Sequence, residues 1–236
     1  VIAARRARGR SDPPDLLDRV IAAAEADGGA TLGPVEVRND LLALLFAGHE
    51  TTALALSWAL YLLSLDEASQ ARAAEAARGA IGERAATAAD LPRLGYLRQV
   101  LEEALRLYPP AALLARMATV SGELAGMSVR PGTTVLIPVY ALHRHADFWD
   151  DPDAFDPDRF VPEAARGRPR FAFLPFGAGP RVCLGADFAL TEAQVILATL
   201  LARYRFAPVP GARPRPLMRF TLRPAEGVRL AARPRA

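Results

Sequence analysis

The 236-residue sequence predicts a mainly α-helical protein with small β-sheets. Two observations carry that prediction. Long apolar or amphipathic segments run over Leu41–Leu65, from Leu91 to Pro109-Pro110, and from Ala186 to about Tyr204. Between and after them lie only short β-type stretches, separated by glycine and proline turns. The length suits one large domain or two small ones.

The Leu41–Leu65 run approaches the length of a membrane span, but Gly48-His49-Glu50-Thr51-Thr52 at its middle argues for a buried helix and against a membrane segment. Asn39 or Asp40 is available to cap its start. Glu67 to Arg78 reads as an Ala-rich, charged surface helix. The third helix shows Leu94, Leu97, Val100, Leu101 and Leu105 on one face and stops where the proline rings block continuation. Leu113–Val120 and Thr133–Val139 have β character, with Gly126 and Pro131-Gly132 as turns. Asp147–Pro175 reads as a long ordered loop packed by Phe155, Phe160, Phe171 and Phe173. One or two closing hairpins are expected over Phe206–Leu230.

Composition excludes some functions. The net charge is +3 and all 29 basic residues are Arg. They are scattered apart from runs at Arg5–Arg10 and Arg213–Arg235, and no aromatics interleave with them, so no nucleic-acid partner is expected. A single cysteine makes no internal disulfide and fits a reducing compartment or a thiol kept for chemistry. The chain opens at Val1 without a charged-then-apolar leader, and its natural N-terminus is expected to be missing.

Cys183 lies near the end of the stretch Phe176-Gly177-Ala178-Gly179-Pro180-Arg181-Val182-Cys183-Leu184-Gly185, directly before a helix. A metal and a helix N-terminus both favour the thiolate. Gly179 and Gly185 allow the backbone to pass close to a flat ring. Arg181 suits an acidic group on a ligand. This stretch resembles the signature of the cytochrome P-450 superfamily, Phe-x-x-Gly-x-Arg-x-Cys-x-Gly, with Phe176, Gly179, Arg181, Cys183 and Gly185 at its specified positions. Three further motifs follow the family's order: Ala47-Gly48-His49-Glu50-Thr51-Thr52, Glu103-Ala104-Leu105-Arg106 and Pro157-Asp158-Arg159-Phe160.

The resemblance implies the C-terminal portion of the cytochrome P-450 fold, with Cys183 as axial ligand to the iron of haem b and Phe176 near the sulfur. It implies that Arg116 and Arg181 meet the haem propionates and that Ala47 and Gly48 leave room above the haem. Thr51 and Glu50 would relay protons to dioxygen, while Glu103, Arg106 and Arg159 would form a structural network. His49 and His143 read as structural histidines and not as metal ligands. The implied activity is dioxygen-dependent oxidation of a small apolar organic substrate, with Ala111–Leu114 near the pocket. A ferredoxin or flavoprotein would donate the electrons, since no Gly-x-Gly-x-x-Gly fingerprint lies within these residues. The resemblance is to soluble bacterial members, hence a cytoplasmic location. An alternative reading is a non-catalytic or partner-dependent fragment lacking a substrate-binding N-terminal half.

Overall fold

The computed structural model describes residues 1–26 and 33–235. They divide into two compact units, Val1–Glu50 and Thr51–Ala236. In the first unit, helix α1 (Ile2–Arg8) and helix α2 (Leu16–Ala26) are tied by Arg5, which pairs with Asp15 at 2.7 Å and with the buried Asp18 at 2.7 Å. Ser11 donates to the same Asp18 carboxylate through its hydroxyl and its N–H, which holds that carboxyl well below the usual range, with Arg5 adding to the effect.

Helix α3 runs over Pro34–Leu65. It therefore starts well before Asn39 and Asp40, which lie inside it and cap nothing. Pro34 at its first position brings a preset φ and has no N–H to satisfy, and Glu36 complements the first turn. Leu42 and Leu45 are exposed, so the early part of the helix is not packed all round as its composition suggested. Among the described residues, α3 is one helix long and apolar enough to cross a membrane by length and composition. Its part in the second unit is instead built into a core: Trp58, Ala59 and Leu63 are fully buried.

That core is made by α3 from Thr51 onward, α4 (Glu67–Ile81), α5 (Gly95–Leu107) and α8 (Ala186–Arg203). Helix α4 departs from the surface helix expected, because one face, Ala73, Ala74 and Ala77, is fully buried against α5 and α8. Alanine leaves no bulk between backbones, so the helices approach closely and the Ala face is the inward one. Asp66 caps α4 by accepting from the Ser69 N–H at 2.9 Å. Before α5, residues Ala88–Arg93 form a 3-10 turn, so the α-helix begins four residues later than Leu91. Pro92 lacks the N–H an α-helical turn would use, and Thr87 and Asp90 close a capping box ahead of it.

Four two-stranded antiparallel sheets flank the helices among the described residues. Strand β1 (Leu114–Met117) pairs with β4 (Thr134–Ile137), with Leu114 opposite Ile137, close to the segments expected. Between them lies an unexpected hairpin, β2 (Gly122–Leu124) and β3 (Met127–Val129). Both turn residues, Ala125 and Gly126, have positive φ, and the alanine hides the turn from a search for Gly and Asn. After the four-residue helix α6 (Val139–Leu142), the Asp147–Pro175 segment is largely irregular, as read from sequence. It includes a 3-10 turn at Pro157–Phe160 and the four-residue helix α7 (Pro162–Ala165). Phe160 and Phe173 pack at 4.8 Å between ring centroids, whereas Phe171 is exposed under Arg170 and does not pack the loop. At the C-terminus β6 (Pro216–Met218) and β7 (Leu222–Pro224) form a hairpin, while β5 (Tyr204–Pro208) pairs with the distant β8 (Leu230–Pro234). The closing strands thus extend beyond both ends of Phe206–Leu230.

Candidate functional site

Cys183 lies on the loop between a 3-10 turn, Gly179–Arg181, and the N-terminus of α8, and it is exposed. The loop is folded back on itself. The Cys183 N–H donates to the Phe176 carbonyl at 2.9 Å, the Val182 N–H to Gly179 at 3.0 Å, and the Gly177 N–H to Leu174 at 3.1 Å. Gly179 has φ +71, a left-handed conformation that a side chain rarely adopts. A Cβ at Gly179 or Gly185 would meet nothing within 4 Å, so both leave open space beside the thiol loop.

Phe176 points away from solvent into a cluster with Ala55 of α3, Leu105 of α5, Leu190 of α8 and Phe173. The cysteine loop is thereby pinned to three helices at once. Thr51 shares a helical face with Ala55, one turn earlier on α3, and is half-buried. Ala47 and Gly48 are exposed and Glu50 is half-buried, all on the first-unit part of α3.

Exposed side chains of both kinds lie next to the thiol in sequence, Arg181 and Asp187 being charged and the others apolar. Val182, Leu184 and Phe188 flank Cys183 in sequence, and Leu184 is 92% exposed. Leu114 of β1 lies 3.7 Å from where a Cβ on Gly177 would sit, and its neighbours Leu113 and Met117 are exposed too. Arg116 on the same strand is exposed, with Nη1 donating to the Ala115 carbonyl at 2.8 Å, and Arg181 is exposed in the loop. One accessible soft donor, exposed apolar neighbours and guanidinium groups fit a flat apolar ligand with a metal centre and acidic edge groups. No group of three or more His, Cys, Asp or Glu that would hold a bare metal ion occurs among the described residues.

Behind this loop lies a buried charge network. Arg106 donates to Glu103 through Nε at 2.6 Å and Nη2 at 2.7 Å, and neither side chain is exposed. Arg106 also donates to the carbonyls of His143 (2.9 Å), Pro152 (2.6 Å) and Ala154 (2.9 Å). The Asp156 N–H donates to Glu103 at 2.9 Å, and Arg159 Nε lies 3.4 Å from the same carboxylate. Glu103, Arg106 and Arg159 are therefore brought together, with the irregular 152–156 segment laced to α5. Burial pushes the Glu103 carboxyl up, and its bonds to Arg106 and Asp156 and the charge of Arg159 oppose that rise. Trp149 sits under two guanidinium groups, Arg168 at 4.1 Å and Arg106 at 5.0 Å.

Sequence reasoning gave no role to Ala55, Trp149 or the Asp156 N–H, all of which hold this arrangement. Their contributions come from backbone or shape, which no local motif encodes. Both ring nitrogens of His143 have partners, as a structural histidine requires.

A family model for cytochrome P450 matches residues 1–231. The chain is 42% identical over 221 residues to cyclooctatin synthase of Streptomyces melanosporofaciens, covering 93% of this chain and 48% of that protein. It is 38% identical over 206 residues to cyclooctat-9-en-7-ol 5-monooxygenase of the same organism, covering 87% and 45%. It is 36% identical over 224 residues to cytochrome P450 4B1 of Rattus norvegicus, covering 94% and 44%. The chain spans about half the length of the curated relatives it matches. With the cysteine loop, the Glu103–Arg106 pair and the family match over the same residues, the chain belongs to the cytochrome P450 family.

Proposed function

We propose that this chain is the haem-binding part of a haem-thiolate monooxygenase that uses dioxygen to hydroxylate or otherwise oxidise a small apolar organic substrate. The observation that carries the reading is Cys183, an accessible thiol on a loop held by its own backbone, with the exposed apolar side chains Val182, Leu184 and Phe188 near it in sequence. When bound, haem b supplies the redox-active iron at which dioxygen is reduced and oxygen is inserted into a C–H bond.

The chain's own residues have separable tasks. Cys183 would donate its sulfur to the haem iron, and its N–H bond to the Phe176 carbonyl holds its backbone in the loop. Arg116 and Arg181 would bind carboxylates at the ligand's edge. The exposed Val182, Leu184, Phe188, Leu113 and Met117 would cover apolar faces of the ligand and exclude water. The Thr51 hydroxyl and the Glu50 carboxylate, neighbours in sequence, would hold and pass protons. Glu103, Arg106 and Arg159 keep the backing of the loop rigid and touch no reacting atom. The electrons come from a separate ferredoxin or flavoprotein. The relative named as a monooxygenase supports the reaction type, and the Streptomyces relatives support a bacterial protein.

The test is a reduced carbon monoxide difference spectrum of the chain supplied with haem. A Soret band at the long-wavelength position of thiolate ligation, lost in Cys183→Ser, is the expected result. A folded, haem-bound protein whose spectrum is the same in wild type and Cys183→Ser would remove Cys183 from the site.

A further inference from the structure

His143 follows directly on α6 and is fully buried, far along the chain from both segments it touches. Its Nε2 lies 2.7 Å from the Leu174 backbone nitrogen, and its Nδ1 lies 3.2 Å from the Arg106 carbonyl oxygen. The Leu174 N–H can only donate, so Nε2 carries the lone pair. The proton then sits on Nδ1 and is donated to Arg106. A neutral imidazole is the side chain that offers one rigid donor and one rigid acceptor on opposite edges, and here both are used.

The two ends of this bridge belong to different parts of the site. Arg106 is the last-turn residue of α5 that holds Glu103, and it also donates from Nη1 to the His143 carbonyl at 2.9 Å, so the two residues are linked twice. Leu174 opens the cysteine loop: its carbonyl accepts from Gly177, and the next bond in the series joins Phe176 to the Cys183 N–H. The imidazole also lies 5.2 Å from the ring of Phe173, which packs in the cluster holding Phe176 and Leu105.

We propose that His143 is a positioning residue that sets the Cys183 loop against the end of α5, by accepting the Leu174 N–H while donating to the Arg106 carbonyl. The idea deepens the haem-thiolate reading and rests on it for its consequence, but the bridge itself concerns only this chain. Without the acceptor, the half-buried Leu174 N–H loses its partner and the loop from Leu174 to Cys183 is released from α5. Packing around the imidazole is a separate contribution, which an apolar ring of similar size preserves.

The experiment compares the 236-residue wild type with His143→Phe and His143→Gln, using amide hydrogen exchange and the rate of Cys183 alkylation by iodoacetamide. In His143→Phe, the Leu174, Gly177 and Cys183 amides are expected to exchange at least about fivefold faster, the factor for one net hydrogen bond, and alkylation to change with them. The Leu197 and Leu201 amides in α8 keep their protection. In His143→Gln, whose side-chain oxygen replaces the acceptor, the loop amides recover. Unchanged loop exchange in His143→Phe overturns the proposal. So does an equal loss at Leu197 and Leu201, which would make His143 a packing residue alone. With haem supplied, His143→Phe is expected to lose part of the thiolate Soret band and His143→Gln to regain it. Absence of that band in wild type, with the exchange pattern intact, would count against the haem-thiolate reading and leave the bridge standing.

Discussion

Glu103 and Arg106 face each other one turn apart on α5 through two hydrogen bonds, of 2.6 and 2.7 Å, with neither side chain exposed to solvent. A bidentate pair in this setting offsets the cost of taking both charges out of water only while both partners are present. Arg106→Ala leaves a buried carboxylate without its guanidinium and three backbone carbonyls without a donor. Chemical denaturation is expected to show a loss of about 3–5 kcal/mol. A loss below about 1 kcal/mol would mean that the loop at residues 152–156 does not depend on this contact.

Trp58 and Tyr108 stack with their rings 3.9 Å apart and nearly parallel, at 8°. Trp58 is fully buried, so the pair joins α3 to the residue that ends α5. Tyr108→Leu keeps most of the apolar area and removes the ring pairing, which is worth about 1 kcal/mol. Thermal unfolding checks the value, and an unchanged midpoint would assign the stability there to area alone.

His143 is held down at about 4 by burial, with the neighbouring Arg106 and Arg144 charges adding to the effect and backbone bonds to Arg106 and Leu105 opposing it. An unfolded histidine titrates near about 6.5. Between those values the unfolded chain binds more protons than the folded one, so stability rises with pH across that window. The contribution is full above about pH 6.5, falls as the pH drops toward 4, and levels off below. Its total is about 3 kcal/mol from the size of the shift. Glu103 and Glu102 are raised by burial and act in the opposite sense. The quantity to measure is therefore the wild-type minus His143→Gln difference in unfolding free energy from pH 7 to 4. A difference independent of pH would contradict the buried neutral imidazole.

Cys183 is exposed, and the one bond it contributes to the loop comes from its backbone N–H. Cys183→Ser is therefore expected to shift the stability of the chain without added haem by no more than about 0.5 kcal/mol, read by urea denaturation. The same substitution abolishes the thiolate Soret band. A large stability loss without haem would reveal a structural role for the sulfur.

Much of this architecture is legible in contiguous residues. The apolar and amphipathic periodicities of α3, α5 and α8 mark three of the four core helices. Pro109-Pro110 marks the end of α5, and the spacing from Phe176 to Gly185 marks the cysteine loop. The motif Glu-x-x-Arg likewise identifies a pair that one helical turn brings together. These are short-range facts, because helix geometry and turn chemistry act over a few residues.

Other features depend on the chain meeting itself at a distance. The Ala face of α4 is inward because α8 lies against it, although its composition reads as surface. Strand β8 finds β5 across a separation that no hairpin turn specifies. Arg159 reaches Glu103 only because the irregular segment before it is bound to α5 through backbone atoms, which have no sequence signature. His143 shows the division most directly. Its neutral ring joins Arg106 to Leu174, residues 37 and 31 positions away, so its identity alone carries no indication of the link. Local patterns thus decide which elements form and where the thiol sits in its motif. Burial, long-range pairing and the partners of each polar group are decided by packing, because each requires two distant segments to exclude water together.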